Sequence, residues 1–503
     1  PANTSLTITG HNVSNINTKG YTRQQAGTQA ADALRTHTTY GAIGSGVVVT
    51  EISQIRDSYY DVKYRNNMAN YGQYSVKESY MGQIEDYLDE FTLNGYSQEY
   101  KNFFSAVNQL TITPGDTSAK NQLINNAKSL ADYFNTLTTN LRNVQADANN
   151  EIKDAVQQIN SYAKNIAALN RQINQIEANY GNANDLRDKR NAMIDELSEI
   201  VNLETSEEDM GNNVSNFSVR INGQTLVSSY SYNTLETVAR TDKKNYSDAE
   251  GLYDVQWNSG QKFDMYSTSL SGHLKGLIDI RDGNNGEHEN IETDDDGNNV
   301  TDSDGNLVLT TAPAADKTVS YKGVPYYQAQ LNEFAKIFSD AVNKIMKSGY
   351  TSDGSSKGIS LFVTQPNTTV MSAGNITVNP ELLKNADLLA IKKEQNDGES
   401  DAKIMEELNK LQSEKIFAGG TGSYFLESIV SDMSIDSQKA VNLYKNYTDL
   451  KTSIHNQRLS IMGVDTDEEA MDMIKYQQAY NLNSKMMSVM NQIYDKLINQ
   501  TGI

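Results

Sequence analysis

The sequence contains no cysteine, and it has only five histidines and six prolines in 503 residues. Without a thiol, the chain cannot form disulfides, bind metals through thiolates or use a cysteine nucleophile. No apolar run approaches the roughly 20 residues that a membrane-spanning helix needs. These absences exclude thiol chemistry and disfavour a membrane protein.

Positive charge is also scarce, since 43 Lys and Arg face 64 Asp and Glu, for a formal net charge of -21. Nucleic-acid backbones and anionic lipid attract Lys and Arg surfaces, so we expect protein partners, with no nucleic acid and no membrane. The hydrophobic content of 37% is typical of a folded, soluble chain. The length suggests about three domains. No cleavable signal peptide is visible, and because the chain opens on Pro1 we expect residues upstream of it.

Two stretches resemble the beginnings of metal sites. Residues 286–292 start like a zinc-protease motif, but Glu292 stands where the second His is needed. Residues 294–305 resemble a calcium loop, but no Glu follows its glycines at the EF-hand spacing, and Asp-Gly turns explain the run more simply. Phosphate-binding loops and nucleophile elbows are missing from the sequence. We therefore predict a protein that is not an enzyme, with no catalytic, cofactor-binding or metal residues.

Helical periodicity dominates the chain. Apolar residues recur at alternating steps of three and four from Phe134 to Ile176, with one repeated step of four from Ala148 to Ile152, which predicts one long helix from about 123 to 176 with a coiled-coil seam that has a stutter. Similar stripes predict helices over 327–345 and 440–461, and the spacing between Ile52 and Phe91 predicts another.

Strand signals lie between these helices. Phe217, Val219 and Ile221 alternate, and the Asn222-Gly223 pair that follows predicts a type I′ hairpin turn. Residues 253–257 alternate in the same way, and glycines and prolines over 354–380 predict a second β- and loop-rich region.

The predicted fold class is α+β and multidomain. An elongated, discontinuous, coiled-coil-like helical domain is built from both chain ends, and β-rich domains are inserted into it. The expected segments are an N-terminal motif and connector at 1–50, the first part of the helical rod at 51–205, a β-rich insertion at 206–324 with an acidic loop at 283–320, a returning helix at 325–349, a β- and loop-rich segment at 350–420, the last part of the helical domain at 421–464, and a C-terminal assembly helix at 465–503.

The C-terminal helix has a marked start and a wide apolar stripe. Thr466 and Glu469 fit a capping box, and the extra carboxylates suit the positive end of the helix dipole. Two interpretations stay open, because the stripe can dock on the chain's own core or be buried by neighbouring subunits. The residues assigned to this assembly helix are Asp467, Glu468, Glu469, Ile474, Gln477, Ala479, Tyr480, Leu482, Met486, Val489 and Ile493.

Residues 11–24 resemble the N-terminal motif of the flagellar rod, hook and hook-associated axial proteins, in which an Asn-rich stretch runs into Gly, an aromatic and a basic residue. Residues 463–469 and 474–485 resemble the C-terminal motif of that family. Interior segments at 185–190, 220–227 and 272–282 are similar to FlgK-type hook-associated proteins, and the resemblance fails at 283–320. The N-terminal motif residues are Asn12, Asn15, Asn17, Gly20, Tyr21, Arg23 and Gln24.

The resemblance implies a structural subunit of the bacterial flagellum that self-assembles through terminal helices at the junction between hook and filament. It implies as partners further copies of the chain in a ring or helical zone, the hook protein below, a second junction protein above, and an export chaperone for the C-terminal segment. It also implies type III export without a cleaved signal, to an extracellular position on the flagellum.

In this family the two chain ends pair as helices in the innermost layer of the tube. We expect the Asn-rich stretch to be a structured connector rather than a helix, with a turn at Gly20. A hook or distal-rod protein is the alternative within the family. A filament-associated protein with an enzymatic or adhesive insertion is the alternative from a different class.

Overall fold

The computed structural model describes residues 1–35, 42–88, 95–283, 287–294, 298–302, 305–313, 322–398, 400–418 and 420–500. Helices dominate, and the sheets are small. The chain divides into two compact units: the first comprises 1–71, 157–235 and 446–503, and the second comprises 72–156 and 236–445.

The helices account for most of the chain. They are α1 (Ala2–Ser14), α2 (Ser58–Leu88), α3 (Tyr96–Ile112), α4 (Thr117–Glu177), α5 (Asn184–Ile200), α6 (His273–Asp282), α7 (Val324–Ser348), α8 (Pro380–Lys384), α9 (Lys403–Lys410), α10 (Gly422–Met462) and α11 (Thr466–Asn499), with a 3-10 turn at Ala386–Leu388.

The strands are short. They are β1 (Gln24–Ala30), β2 (Leu34–Arg35), β3 (Ala42–Ile43), β4 (Val47–Gln54), β5 (Glu204–Asp209), β6 (Ser215–Ile221), β7 (Gln224–Ser228), β8 (Ser231–Tyr232), β9 (Leu235–Ala239), β10 (Tyr253–Trp257), β11 (Glu287–Ile291), β12 (Leu309–Pro313), β13 (Tyr350–Thr351), β14 (Phe362–Thr364), β15 (Ile376–Val378) and β16 (Ala390–Lys392).

The long helix predicted from the heptad seam is confirmed as α4, which runs without a break for 61 residues. Most seam positions between Phe134 and Ile173 are buried, whereas Ile176 at its end is exposed. The predicted helices over 327–345 and 440–461 are confirmed as parts of α7 and α10. The predicted α+β fold, with a discontinuous helical part and inserted strands, is therefore confirmed, and helices dominate it.

The helix predicted to begin at Ile52 begins six residues later, at Ser58. Ile52 lies instead in β4, where it pairs with Ala26 of β1. The prediction was wrong because the β-branched residues at 47–50 and at Ile52 favour a strand, and the helical spacing of Ile52 and Ile55 arises by chance.

The predicted hairpin at Asn222-Gly223 is confirmed. β5, β6, β7 and β8 form an antiparallel sheet in the first unit, and β6 pairs with β7 across this two-residue loop. Asn222 has φ of 48° and Gly223 has φ of 76°, as a type I′ turn requires. In the segment 350–420 the strands are accompanied by the short helices α8 and α9, which the sequence analysis did not anticipate.

The second unit contains an aromatic core. Phe334 of α7 stacks on Phe417 with the ring centroids 5.0 Å apart, and Phe338 packs against Phe103 of α3 at 5.5 Å. Buried aromatic pairs of this kind contribute about 0.5–1.5 kcal/mol beyond their area. The core of this unit is thus built from helices that are far apart in sequence.

Candidate assembly site

The two predicted terminal motifs meet in the first unit, where α1 packs against α11. Asn12, which is buried, lies at the centre of the contact. Its side-chain oxygen accepts from the Gln24 backbone N–H at 3.0 Å and its Nδ2 donates to the Gln24 carbonyl at 3.0 Å. The Tyr21 hydroxyl donates to the same Asn12 oxygen at 2.8 Å. One amide therefore fixes the path of the chain from the helix into β1.

The Asn-rich stretch was expected to be a connector, but it begins as a helix. α1 continues to Ser14, so Asn12 is helical, and only Asn15 and Asn17 lie in the turns that follow. Asn12 is tolerated there because its side chain bonds to a distant backbone group and does not compete with its own helix. Asn15 Nδ2 donates to the His11 carbonyl at 3.0 Å, and Asn17 is exposed.

The turn expected at Gly20 is present. Its φ of 80° lies in the region that favours glycine. A Cβ added there would also lie 2.9 Å from the Ala192 Cβ on α5. Glycine is therefore needed both for the turn and for the close approach of the connector to α5.

Glu469 joins the two motifs. Its Oε1 accepts from Asn12 Nδ2 at 3.0 Å and from Arg23 Nε at 2.8 Å, while an Nη of Arg23 donates to Glu468 at 2.9 Å. The Arg23 backbone N–H donates to the Met462 carbonyl at 2.9 Å. Glu469 is 2% exposed, whereas the Glu468 side chain is 54% exposed. The bonds to these two carboxylates raise the pKa of Arg23 in spite of its partial burial. A charged, buried contact thus anchors the base of α11 to the N-terminal motif.

The capping box predicted at Thr466 and Glu469 is wrong, although the helix does begin at Thr466. The N-cap is Asp465, whose side chain accepts from the backbone N–H groups of Asp467 at 2.9 Å and Glu468 at 3.3 Å. Glu469 cannot turn back to cap the helix, because its carboxylate is bound by Arg23 and Asn12.

Sequence reasoning missed a buried charge network beside the joint. Asp188 of α5 accepts from the backbone N–H and the hydroxyl of Thr22, at 2.9 and 2.7 Å. Burial raises the pKa of Asp188, against the opposing effect of these bonds and of Arg56. Arg458 of α10 contacts both Asp61 at 2.8 Å and Asp195 at 2.6 Å. The one sequence feature that pointed to this network was the dense mixture of acidic and basic residues over 185–190, which was interpreted only as a resemblance to the hook-associated proteins.

Beyond its base, α11 is exposed. Glu469 is its buried residue, and every residue from Asn481 to the end of the helix is exposed. Among the predicted assembly residues, Asp467, Ile474, Gln477 and Tyr480 are also exposed, and Ala479 is half-buried. The apolar stripe keeps 46–66% of its accessible surface at Leu482, Met486, Val489 and Ile493. The stripe is therefore not docked on the core of the subunit, as far as the described residues show.

The stretches that resembled metal sites have structural roles. Residues 287–291 form β11, whereas the zinc-protease motif needs a helix, and Gly286 lies outside the described residues. Asp294 and Asp302 accept from the backbone N–H groups of Asn298 and Asn306, both at 2.8 Å, as turn residues do. Across the described part of the chain, no group of three acidic or histidine side chains could hold a metal ion, and no helix is long and apolar enough to cross a membrane.

Comparison with known proteins gives two family matches. Residues 81–362 match the model of the flagellar hook-associated protein FlgK helical domain, and residues 455–500 match that of the flagellar basal body rod FlgEFG protein C-terminal. The first match covers more than half of the chain, and the second covers the joint between α10 and α11 together with the exposed stripe.

Individual relatives extend over nearly the whole chain. It is 26% identical to flagellar hook-associated protein 1 of Bacillus subtilis, over 99% of this chain and 96% of that protein. It is 27% identical to flagellar hook-associated protein 1 of Salmonella typhimurium, over 99% of this chain and 97% of that protein. The solved structure of the flagellar hook junction protein FlgK from Burkholderia pseudomallei has a TM-score of 0.62 at 15% identity, and the match covers 80% of this chain and 100% of that one. This structural likeness shows a shared fold.

Proposed function

Because the chain belongs to the family of FlgK flagellar hook-associated proteins, whose members are structural proteins of the flagellum and not enzymes, we propose that it forms the junction zone between the hook and the filament. The match to the helical domain of FlgK distinguishes this role from that of a hook or distal-rod protein. The C-terminal match to rod proteins reflects the part of the chain that axial subunits share.

The observation that carries the proposal is the exposed apolar face of α11. Leu482, Met486, Val489 and Ile493 lie on one side of the helix, and Met487, Met490 and Tyr494 widen the stripe. Contiguous apolar patches of this kind mark surfaces that another protein covers. The first turns of α11 pack against α1 and are anchored through Glu469, whereas the stripe from Leu482 onward is exposed in the described residues and remains available.

Further copies of the same chain cover the apolar stripe of α11. Burial of each stripe side chain in an assembly contributes about 1.5–3 kcal/mol, so four of them together offset much of the entropy lost on association. Methionine side chains adapt to irregular surfaces, which suits a subunit that must contact two different neighbours. The hook protein below and a second junction protein above are those neighbours.

The subunit is exported before it assembles. The subunit leaves the cell through the type III apparatus without a cleaved signal, and an export chaperone covers the C-terminal segment until then. The lack of cysteine suits this route, since a disulfide would obstruct passage of an unfolded chain. The mature location is extracellular, on the flagellum.

An experiment in cells tests the proposal. A tagged copy of the chain is expressed in a strain that lacks its own junction subunit, and the label is located on isolated flagella by electron microscopy. We expect one labelled zone between the hook and the filament, with flagellin retained on the cell. Label along the rod or the hook, or a strain that still releases flagellin into the medium, would contradict the junction role.

A further inference from the structure

Strands β1 and β4 form a two-stranded antiparallel ribbon with two unequal ends. Its base pairs Gln24 with Gln54, and its outer end pairs Ala30 with Val47. The sheet contains only these two strands within the described residues. Each strand therefore has one hydrogen-bonding edge that no other strand among the described residues pairs with, and an isolated two-stranded ribbon is marginally stable.

The base of the ribbon is held by its own subunit. The side-chain amides of Asn182 and Asn184 both donate to the Ile52 carbonyl, at 2.7 and 2.9 Å. Gln54 Nε2 donates to the Asn184 carbonyl at 3.0 Å. These bonds use the backbone of β4 near its end, where an added strand would otherwise pair.

The outer end has a different surface. Val47 and Val48 are 50% and 47% exposed. The Ala31 N–H donates to the Gly46 carbonyl at 2.9 Å, and hydrogen-bonded pairs alternate along antiparallel strands. The N–H and C=O groups of Ala30 and Val47, one position along, therefore point away from the ribbon, towards an additional strand on either side.

The outer end of the ribbon lacks charged residues and prolines, two of the devices that protect an edge strand, whereas the part nearer the base contains Glu51 and a register irregularity between Gly27 and Thr28. Residues 24–31 and 42–50 contain no charged residue and no proline, although edge strands are commonly blunted by Lys, Pro or inward-pointing charge. The chain as a whole carries a net charge of -21, so copies repel one another over most of their surface. The uncharged outer end of the ribbon is a place where two copies can approach without that repulsion.

We infer that the outer edge of β4 in one subunit pairs with the outer edge of β1 in a second copy, so that the ribbon continues from subunit to subunit. The inference rests on the proposed function, because the junction zone places copies side by side. Pairing of β4 with β1 is head-to-tail and can repeat around a ring, whereas pairing of β4 with β4 stops at a dimer.

Two substitutions at one position test the backbone pairing. Val47→Pro removes an outward N–H without removing a bond inside the ribbon, while Val47→Thr keeps the N–H and the β-branched shape but loses a methyl group. In the complemented strain we expect Val47→Pro to lower the number of subunits per flagellum at least tenfold, and Val47→Thr to stay near wild type. Wild-type incorporation of Val47→Pro, or an equal loss with Val47→Thr, would overturn the inference.

A cross-linking measurement does not depend on how the proline variant folds. The chain has no native cysteine, so Ala30→Cys and Val47→Cys can be expressed as two separate single variants in one strain and treated with a short bis-maleimide. We expect cross-linked dimers only when both variants are present. Val238→Cys on β9, which is 44% exposed, replaces Val47→Cys as the matched control. No dimer with the Ala30 and Val47 pair, or equal dimer with the control, would overturn the inference.

Met486→Asp on α11 separates this inference from the proposed function in the same strain. If Met486→Asp blocks incorporation and Val47→Pro does not, the ribbon inference alone fails. If neither substitution affects incorporation, the proposed assembly through α11 fails as well.

Discussion

Asn12 and Glu469, which lie 457 positions apart in the chain, are joined by a hydrogen bond of 3.0 Å between Nδ2 and Oε1. The same carboxylate oxygen accepts from Arg23 Nε at 2.8 Å. A single buried group on α11 therefore contacts both α1 and the segment that follows it. This bond sets where the C-terminal helix leaves the subunit, and so where its exposed stripe is presented.

Replacement of Glu469 is expected to loosen the joint more than replacement of its neighbour. Glu469→Ala leaves a buried N–H of Asn12 without its acceptor and weakens the hold on Arg23, which costs about 1–3 kcal/mol. Glu468→Ala removes an exposed ion pair and costs about 1 kcal/mol or less. Native-state hydrogen exchange of α1 and the first turns of α11 measures both. Equal loss of protection in the two variants would show that Glu469 does not anchor the helix.

Asp340 gives a pH dependence in the second unit. Burial, with the nearby charge of Asp302, raises the pKa of Asp340 to about 6. The unfolded value is about 3.9, so the stability contributed by the neutral form is fully present below that pH and is lost as the pH rises through about 6. Asp340→Asn should therefore stabilise the unit at about pH 7.5, by about 1 kcal/mol once solvent screening of this partly exposed group is allowed for.

Thermal unfolding of Asp340→Asn and of the parent protein at two pH values tests whether the substitution stabilises the unit only at the higher pH. The stabilisation should disappear at about pH 4, where Asp340 is largely protonated in the folded state. A stabilisation of equal size at both pH values would mean that charge is not its cause, and destabilisation at the higher pH would mean that the charged form is favoured.

The acidic segment is predicted to be dispensable for assembly, as its lack of family resemblance suggested. Its two ends are adjacent, because a Cβ added to Gly323 would lie 2.5 Å from the Cα of Gly283. Elsewhere the segment is attached by bonds from the Leu307 N–H to the Thr369 carbonyl at 2.5 Å, from the Thr364 hydroxyl to Asn306 Oδ1 at 3.4 Å and from Lys336 Nζ to the Leu309 carbonyl at 3.4 Å. Deletion of 284–320, which keeps Lys322 and its ion pair with Asp432 at 2.8 Å, should leave a folded, exported subunit that restores motility. A folded and exported variant that fails to restore swimming would contradict this prediction.

Much of the fold could be predicted from periodicity. The seam of α4 and the Asn222-Gly223 turn depend on local rules, so the sequence alone was sufficient. The start of α2 was misplaced because only three residues separate the end of β4 from Ser58, and apolar residues of the strand happened to extend the helical spacing. A β-branched run competes with a helical period, and only pairing with β1 decides between them.

The site could be predicted only in part. The family resemblance predicted that the two terminal motifs belong to one assembly surface. It did not predict the partner of Glu469, because Arg23 lies 446 positions away in the chain and no local rule describes such a contact. Local reasoning assigned Glu469 to a capping box, whereas its carboxylate forms a long-range ion pair with Arg23. Asp188 was overlooked for the same reason, since its importance comes from the approach of Thr22.

The most direct measurement of the central claim compares two faces of α11. Met486→Asp with Val489→Asp places carboxylates in the apolar stripe, and Ser484→Asp with Ser488→Asp adds the same charge on the opposite, exposed face. Burial of an unpaired charge costs far more than the lost apolar contact, so only the first pair should prevent incorporation between hook and filament. Both purified monomers should melt within about 2 °C of the parent, because these side chains are exposed in the subunit. If the first pair unfolds the monomer, or if it still enters the flagellum, α11 is not the assembly helix.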